Sequence, residues 1–158
     1  MVPVTMPRRG RLEGKVAIVT GAGSTPGPGV GTGRATAIAL AREGASLLLA
    51  DLLVDRAEET LRRIEQIGGV GATFGGDMTR SADCEAMVQA AVERFGSVDI
   101  LVNNIGAANV GSVVETSEAD WDRVLSVSLR TTFLASKHAV PVMAAHVKDT
   151  GAADPPRS

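Results

Sequence analysis

The sequence has 158 residues, the length of one domain, with a formal net charge of −2, 44% hydrophobic and 22% charged residues. This balance is typical of a globular protein and gives no electrostatic reason to expect a nucleic acid or an anionic membrane surface as a partner. The apolar runs have the length of strands and are interrupted, so no transmembrane helix is expected. The single cysteine, Cys84, excludes an intramolecular disulfide and fits a reducing compartment, so we expect a cytoplasmic protein.

The two ends of the sequence differ from its middle. The first ten residues contain two arginines but no apolar signal core, and we predict a disordered arm over residues 1–12. Residues 144–158 contain a proline pair and no strand pattern, which predicts an irregular tail. A single domain is therefore expected between them, over residues 13–143.

An apolar run leads into a glycine-dense loop near the start of this domain. Residues 16–19 are apolar without alternation, which predicts a strand covered on both faces of a parallel sheet. Glycine lets backbone N–H groups approach a pyrophosphate where a Cβ would collide, and a helix beginning near Gly33 would direct unpaired N–H groups at that anion. We therefore predict a dinucleotide phosphate site, with an ordinary flexible turn as the alternative.

A second apolar run, residues 47–50, ends in Asp51. This aspartate follows Gly33 by 18 residues, which is near the spacing at which an acidic residue meets the ribose hydroxyls of a dinucleotide. A carboxylate at this place also repels a 2′-phosphate, so the sequence favours NAD over NADP. The alternative is that Asp51 caps the helix that follows.

The middle of the chain continues the alternation of strands and helices. We predict helices over residues 54–66 and 81–95, and strands over residues 72–74 and 98–102, from apolar periodicity. Cys84 lies on the apolar stripe of the second of these helices and is expected in the core. Four β–α alternations predict an α/β, Rossmann-type, doubly wound parallel sheet.

The glycine loop resembles that of the short-chain dehydrogenase/reductase family, which reads Thr-Gly-x-x-x-Gly-x-Gly. Thr20 and Gly21 match the start of this pattern, and residues 31–33 match its end. Because Gly21 and Gly31 are ten residues apart rather than four, residues 25–30 are interpreted as a six-residue insertion. The coenzyme contacts that the resemblance implies are Gly21, Gly31, Thr32, Gly33, Asp51, Asp77, Met78, Asn103 and Gly106.

Three runs later in the chain also carry roles that the resemblance implies. Asp77 matches an aspartate that lies beside the adenine in the family, the alternative being a turn aspartate. Residues 103–106 match the family run Asn-Asn-Ala-Gly, with Ile105 in place of alanine. Ser128 takes the place of an asparagine that helps to hold a proton-relay water in the family. Serine is shorter and lacks the amide, so no catalytic residue is assigned.

A long helix is predicted over residues 118–143, with Thr116 or Ser117 as its cap. Its apolar residues fall on two faces, one of which can meet the sheet while the other suggests a subunit partner. The corresponding family helix lies in a subunit interface, so the resemblance implies a homo-oligomer through this helix. One predicted face holds Trp121, Val124, Leu125 and Phe133, and the other holds Val127, Leu134 and Val142.

The resemblance ends near Met143, before the strand with a catalytic serine and the helix with Tyr-x-x-x-Lys that the family carries. The 158 residues contain no tyrosine, so we expect a sheet truncated after about four strands and no activity from this chain alone. Lys137 lies one strand too early for a catalytic role. His138 and His146 have no ligand partners at metal spacing, so no metal site is expected.

Two functions remain open at this point. The resemblance implies an NAD(P)-dependent oxidoreductase that moves a hydride between nicotinamide and an alcohol or ketone, represented by a truncated chain. The alternative is a non-catalytic nucleotide-binding or dimerisation module that uses the helix over residues 118–143. The apolar open edge expected at the fourth strand favours the first, because a stable module would protect such an edge.

Overall fold

The computed structural model describes residues 10–25, 27 and 29–149, the side chains only as far as Lys148. In these ranges four parallel strands form one sheet in the order β3-β2-β1-β4. The predicted Rossmann-type α/β fold is confirmed, since this is the order of the first half of that fold. The strands are β1 (Val16–Thr20), β2 (Ser46–Asp51), β3 (Val70–Gly75) and β4 (Ile100–Asn103).

A helix follows each of the four strands. The second and third helices span residues 54–66 and 81–95, as predicted. No helix in the described part of the chain is long and apolar enough to cross a membrane. The helices are α1 (Thr32–Arg42), α2 (Val54–Gln66), α3 (Ser81–Phe95), α4 (Glu118–Leu125) and α5 (Thr131–Asp149), with a π turn at Ser126–Arg130 between the last two.

The sheet separates two apolar cores. Ala17 and Val19 of β1 pack with residues of α1 and α2 on one face, and Ile18 packs with residues of α3 and α5 on the other. Ile18 lies opposite Leu48 of β2 and Leu101 of β4. Because β1 is covered on both sides, its residues are all buried, as the apolar run without alternation predicts. Among the described strands β4 pairs only with β1, so it forms one edge of the sheet.

A partly buried carboxylate ties the amino ends of β1 and β4 together. Asp99 accepts hydrogen bonds from Lys15 Nζ at 2.8 Å and from the Val16 amide at 2.9 Å. His146 Nε2 of α5 lies 3.7 Å from the same carboxylate. Burial tends to raise the pKa of Asp99, but the Lys15 and Val16 hydrogen bonds outweigh it and hold that pKa below its ordinary value.

The predicted domain boundaries differ from the structure at both ends. Residues 1–9 of the predicted arm and 150–158 of the predicted tail lie outside the described residues. Residues 10–12 are part of the domain, because Leu12 packs against the core and its amide donates to the Glu43 carbonyl at 2.8 Å. At the other end α5 continues six residues beyond Met143, through an alanine pair that favours helix.

The predicted long helix is interrupted by the π turn. Ser117 caps α4, as one of the two predicted candidates, by accepting from the Asp120 amide. After the eight residues of α4 the helical spacing widens at Ser126–Arg130. Hydroxyls there donate back to carbonyls of the preceding turn, Thr131 Oγ1 to Val127 at 2.7 Å and Thr132 Oγ1 to Ser128 at 3.0 Å. Such back-bonding competes with the α-helical ladder. Apolar periodicity alone does not register the extra residue in this turn.

Candidate functional site

A cleft of about 390 Å³ opens at the carboxyl ends of β1, β2 and β4, where open α/β sheets bind their ligands. It brings together most of the predicted coenzyme contacts, including both ends of the interrupted glycine motif. Its lining residues are Gly21, Gly23, Ser24, Thr25, Gly31, Thr32, Gly33, Asp51, Leu52, Arg56, Asn104, Ile105 and Gly106.

Two glycines of the motif are required by the protein's own packing. Gly21 has a φ of +60°, in the left-handed region. A Cβ on Gly33 would collide with the Gly21 carbonyl oxygen and would lie 2.5 Å from Asn104 Nδ2. The absence of a side chain at Gly33 therefore lets the start of α1 approach the end of β1 directly.

The amino end of α1 presents an uncompensated positive end to this cleft. The N-cap residue, Gly31, makes no side-chain cap, and the first turn of α1 holds no acidic residue. Thr32 and Gly33 of that turn line the cleft. A helix amino end whose first turn carries no acidic residue suits an anion, so these residues fit the pyrophosphate of a dinucleotide.

The insertion leaves this arrangement intact. The Gly31 amide donates to the Ser24 hydroxyl at 2.9 Å, so the residues on either side of 25–30 lie next to each other. Gly27, Gly29 and Val30 face a separate depression against α2 and do not line the cleft.

Asp51 lies in the wall of the cleft and joins its two sides. Its Oδ2 accepts from the Gly23 amide at 2.9 Å, and its Oδ1 accepts from the Leu53 amide at 3.0 Å. Leu53 is the N-cap residue of α2, and α2 has no side-chain cap, so Asp51 binds the backbone just before this helix without capping it. Each carboxylate oxygen has a further lone pair, which leaves Asp51 able to accept from ribose hydroxyls.

Two arginines near the cleft differ in what they do. Arg34 is buried and joins α1 to α2, through Nε to Thr60 Oγ1 at 3.0 Å and Nη1 to Glu59 Oε1 at 3.0 Å. Arg56 lines the cleft close to Asp51. Its place in the first turn of α2, five residues after a strand end, was the available signal, and sequence reasoning did not use it.

Asp77 and Met78 are not among the residues that line the cleft. Asp77 Oδ1 accepts from the Thr79 amide at 2.9 Å and from the Thr79 hydroxyl at 2.7 Å, which is the turn geometry of the alternative interpretation. These two hydrogen bonds lower the pKa of Asp77. Met78 is buried, and its carbonyl accepts from Cys84 Sγ at 3.3 Å. The adenine contact implied for these residues stays a prediction.

Asn104, and not Asn103, meets the glycine loop. Asn104 Nδ2 donates to the Gly21 carbonyl at 2.9 Å, and its amide donates to Thr20 Oγ1 at 3.2 Å. Asn103 points away, with its Nδ2 3.3 Å from Ser136 Oγ of α5. Since neighbouring residues of a strand face opposite sides, only one of the two asparagines could serve the cleft, a signal that sequence reasoning missed.

Ser128 of the π turn holds the loop that follows Gly106. Its Oγ accepts from the Ala107 amide at 3.1 Å and lies 3.3 Å from the Ala107 carbonyl oxygen, to which it donates. A serine thus binds the backbone beside the cleft from the position where the family carries asparagine.

No group of His, Cys, Asp and Glu side chains suited to a metal ion occurs among the described residues. Cys84 lies in the core, and burial raises the pKa of its thiol. His138 Nε2 lies 2.9 Å from Ser81 Oγ, and this pair joins α5 to α3.

Comparison with known proteins agrees with this geometry. A family model described as enoyl-(acyl carrier protein) reductase matches residues 29–152. A solved structure from Burkholderia xenovorans, assigned as a short-chain dehydrogenase/reductase, superposes with a TM-score of 0.83 at 44% identity, over 87% of this chain and 54% of that one. The chain belongs to the short-chain dehydrogenase/reductase family. Members of this family are oxidoreductases that use NAD(P) coenzymes.

Curated members of the short-chain dehydrogenase/reductase family match a similar range. An uncharacterized oxidoreductase of Thermotoga maritima is 40% identical over 131 residues, which are 83% of this chain and 49% of that protein. The 2-(S)-hydroxypropyl-CoM dehydrogenase 3 of Xanthobacter autotrophicus is 40% identical over 140 residues, 89% of this chain and 52% of that protein. The chain thus spans about half the length of the curated relatives it matches.

Proposed function

We propose that this chain forms the coenzyme-binding half of a short-chain dehydrogenase/reductase, and that it binds NAD(H) in preference to NADP(H). One observation carries the choice of coenzyme: the carboxylate of Asp51 lies in the wall of the cleft at the carboxyl end of β2. A carboxylate accepts hydrogen bonds from ribose hydroxyls and repels a 2′-phosphate.

Different residues of the cleft bind different parts of the dinucleotide. The amides at the start of α1 bind the pyrophosphate, and Asp51 orients the ribose next to the adenine. Asn104 fixes the Gly21 carbonyl, which keeps the glycine loop in place. When bound, the nicotinamide supplies the hydride chemistry. The chain's own contribution is to bind the coenzyme and to orient it.

We further propose that these 158 residues alone do not turn over an alcohol or a ketone. Oxidising a carbinol carbon requires a group that takes the hydroxyl proton while the hydride leaves. The family uses a tyrosine beside a lysine, and the sequence contains no tyrosine. The small-molecule alcohol or ketone therefore belongs to a protein that contains the remaining half of the family fold.

The coenzyme proposal is tested by titrating the 158-residue protein with NADH and with NADPH, following nicotinamide fluorescence. We expect NADH to bind more tightly. Asp51→Asn removes the charge while keeping the size of the side chain, and it should weaken NADH binding about ten- to hundredfold, the size of a lost charged hydrogen bond. NADPH binding should not weaken, because the repulsion of the 2′-phosphate is lost as well.

Asp55→Asn is the matched control, since Asp55 is a neighbouring carboxylate in the first turn of α2 that does not line the cleft. It should leave both affinities unchanged. Two results would contradict the assignment of Asp51. One is tighter binding of NADPH than of NADH by the unaltered protein. The other is that both substitutions change the ratio of NADH affinity to NADPH affinity equally.

We also propose that a second copy of the chain covers the outer face of α4 and α5. Large apolar side chains are exposed there, with Trp121, Leu129 and Phe133 each at least 60% accessible. Leu134 and Val142 of the same segment pack into the core instead, which supports the predicted division into two faces. The subunit interface that the family forms through this helix supports the same assignment.

A cytoplasmic location is proposed on the chemistry of Cys84. This thiol is free and buried in the core between α3 and the sheet. A protein whose only cysteine is reduced and packed suits a reducing compartment. Fractionation of cells that express the protein checks this directly.

A further inference from the structure

Six residues that the family's glycine motif does not contain interrupt the coenzyme loop. The motif spaces its first two glycines four positions apart, whereas Gly21 and Gly31 are ten apart. Without residues 25–30 the chain would read Thr-Gly-Ala-Gly-Ser-Gly-Thr-Gly from Thr20 onward, which matches the motif at each fixed position. The family-model match begins at residue 29, inside this interruption.

The two sides of the interruption meet in the fold. The Gly31 amide donates to Ser24 Oγ at 2.9 Å, and Ser24 Oγ donates to the Thr25 carbonyl at 3.2 Å. A Cβ built on Gly31 would lie 3.2 Å from the Ser24 Cα and 3.1 Å from the Gly23 carbonyl oxygen. Because such a bond is about 1.5 Å long, the Cα atoms of Ser24 and Gly31 lie within about 5 Å, against about 3.8 Å for sequence neighbours.

We propose that Ser24 is a positioning residue that holds Gly31 beside it across the interruption and so restores the coenzyme motif in space. This inference rests on the proposed coenzyme-binding function. Gly31 is the N-cap residue of α1, so holding its amide fixes where the helix begins. That in turn fixes Thr32 and Gly33, which line the cleft. The serine hydroxyl thus does for this chain what a direct peptide bond does in an uninterrupted motif.

Gly27, Gly29 and Val30 of the insertion do not line the coenzyme cleft and should be dispensable for coenzyme binding. Gly27 and Gly29 have no atom within 4 Å of a Cβ built on them, so no close packing holds these positions. Together with Val30, they border a depression of about 530 Å³ against α2, next to the coenzyme cleft. Removing residues 25–30 takes Thr25 from the edge of the cleft but should leave the backbone positions at residues 31–33 in place.

The test compares Ser24→Ala, Ser24→Thr, a deletion of residues 25–30, and the deletion combined with Ser24→Ala. Each is titrated with NADH, and its thermal unfolding midpoint is measured. Ser24→Ala should weaken NADH binding about three- to tenfold, the size of one hydrogen bond. Ser24→Thr keeps the hydroxyl and should restore binding. The deletion should bind NADH within about threefold of the parent.

The decisive result is the effect of Ser24→Ala in the deletion background. There the peptide bond holds the two sides together, so the substitution should change NADH affinity by less than about twofold. An equal loss in both backgrounds would overturn the proposal, because the hydroxyl would then serve something other than loop closure. Loss of NADH binding by the deletion, while the parent binds, would also overturn it.

A parent protein that binds no NADH would refute the proposed function but not the role of Ser24. In that case the thermal unfolding midpoints test whether Ser24 closes the loop. The deletion should have the same midpoint as the parent. Ser24→Ala should lower the midpoint of the parent but leave that of the deletion unchanged. An unchanged midpoint in Ser24→Ala, or an equal lowering in both backgrounds, would refute loop closure.

Discussion

Asp99 makes part of the fold's stability depend on pH in the acid range. Its folded pKa lies below the ordinary value, so its contribution to stability is complete above the unfolded pKa of about 3.9 and is lost as the pH falls through the folded pKa. Asp99→Asn should lower the free energy of unfolding by roughly 1.5–3 kcal/mol at pH 7. Urea unfolding of both proteins between pH 3 and 7 should show this difference shrinking below about pH 4.

Asp122→Asn provides the comparison for that series, because Asp122 is exposed on α4. It should change the unfolding free energy by less than about 0.5 kcal/mol across the range. A difference between Asp99→Asn and the unaltered protein that persists undiminished at pH 3 would show that the carboxylate charge is not what ties β1 to β4.

Gly33 offers a second prediction at the level of a single residue. A methyl group there would meet the Gly21 carbonyl and Asn104 Nδ2, so Gly33→Ala should destabilise the protein by about 1–3 kcal/mol, as overpacking does, and should abolish NADH binding. Gly29→Ala is the control, because a Cβ at that position has open space, and it should be close to neutral. Unfolding midpoints and NADH titration of the two variants would separate these outcomes, and similar behaviour of both would refute the close approach of α1 to β1.

The site could be predicted from sequence where spacing along the chain reflects proximity in space. Gly21, Gly33 and Asp51 follow from a strand, a loop and a helix in fixed order, and all three line the cleft. Asn104 was missed because its identity depends on which side of β4 a residue faces. Arg56 was missed because it enters the cleft from the side of α2, and no motif marks it.

Among the elements, the π turn has the clearest testable effect. Ser128 makes two hydrogen bonds to the backbone of Ala107, so the turn fixes the loop between β4 and α4. Ser128→Ala should cost about 1 kcal/mol and should speed hydrogen exchange of the Ala107 amide. Ser128→Asn should preserve protection of that amide, since its side-chain oxygen can accept the same bond.

Exchange at the Ala72 amide of β3 serves as the internal reference for that experiment, because β3 and β4 lie at opposite edges of the sheet. Faster exchange at Ala107 and at Ala72 alike would indicate global destabilisation. It would count against a specific link between the turn and the loop.

Amphipathic helices were predicted closely, whereas irregular and terminal ones were not. The bounds of α2 and α3 agree with the prediction, because each has an apolar stripe and a clear stop. The π turn adds a residue to one helical turn without changing which residues are apolar, so apolar periodicity does not detect it. The end of α5 was placed too early, because the prediction treated residues 144–149 as tail although their helical continuation is stabilised by contacts such as that of His146 with Asp99.

At the scale of the whole molecule, the exposed face of α4 and α5 should determine the oligomeric state. Leu129→Glu combined with Phe133→Glu places two charges on that face and should convert an oligomer to a monomer, because burying unpaired charges is costly. Light scattering coupled to gel filtration would measure the mass.

Ile67→Glu is the matched control, since Ile67 is 46% exposed at the end of α2, away from this face. It should leave the mass unchanged. A monomeric mass for the unaltered protein, or dissociation by the control substitution, would refute the assignment of this face to a second copy.

The contact between Ser24 and Gly31 also defines a site for grafting foreign sequence. A hydrogen bond holds both ends of the segment, and the entropic cost of closing a flexible loop rises by only about 0.6 kcal/mol for each doubling of its length. An epitope or a protease recognition peptide placed between Thr25 and Val30 would be displayed next to the coenzyme cleft. Binding of an antibody to the grafted segment, or its cleavage by a protease, could then report whether the cleft holds coenzyme.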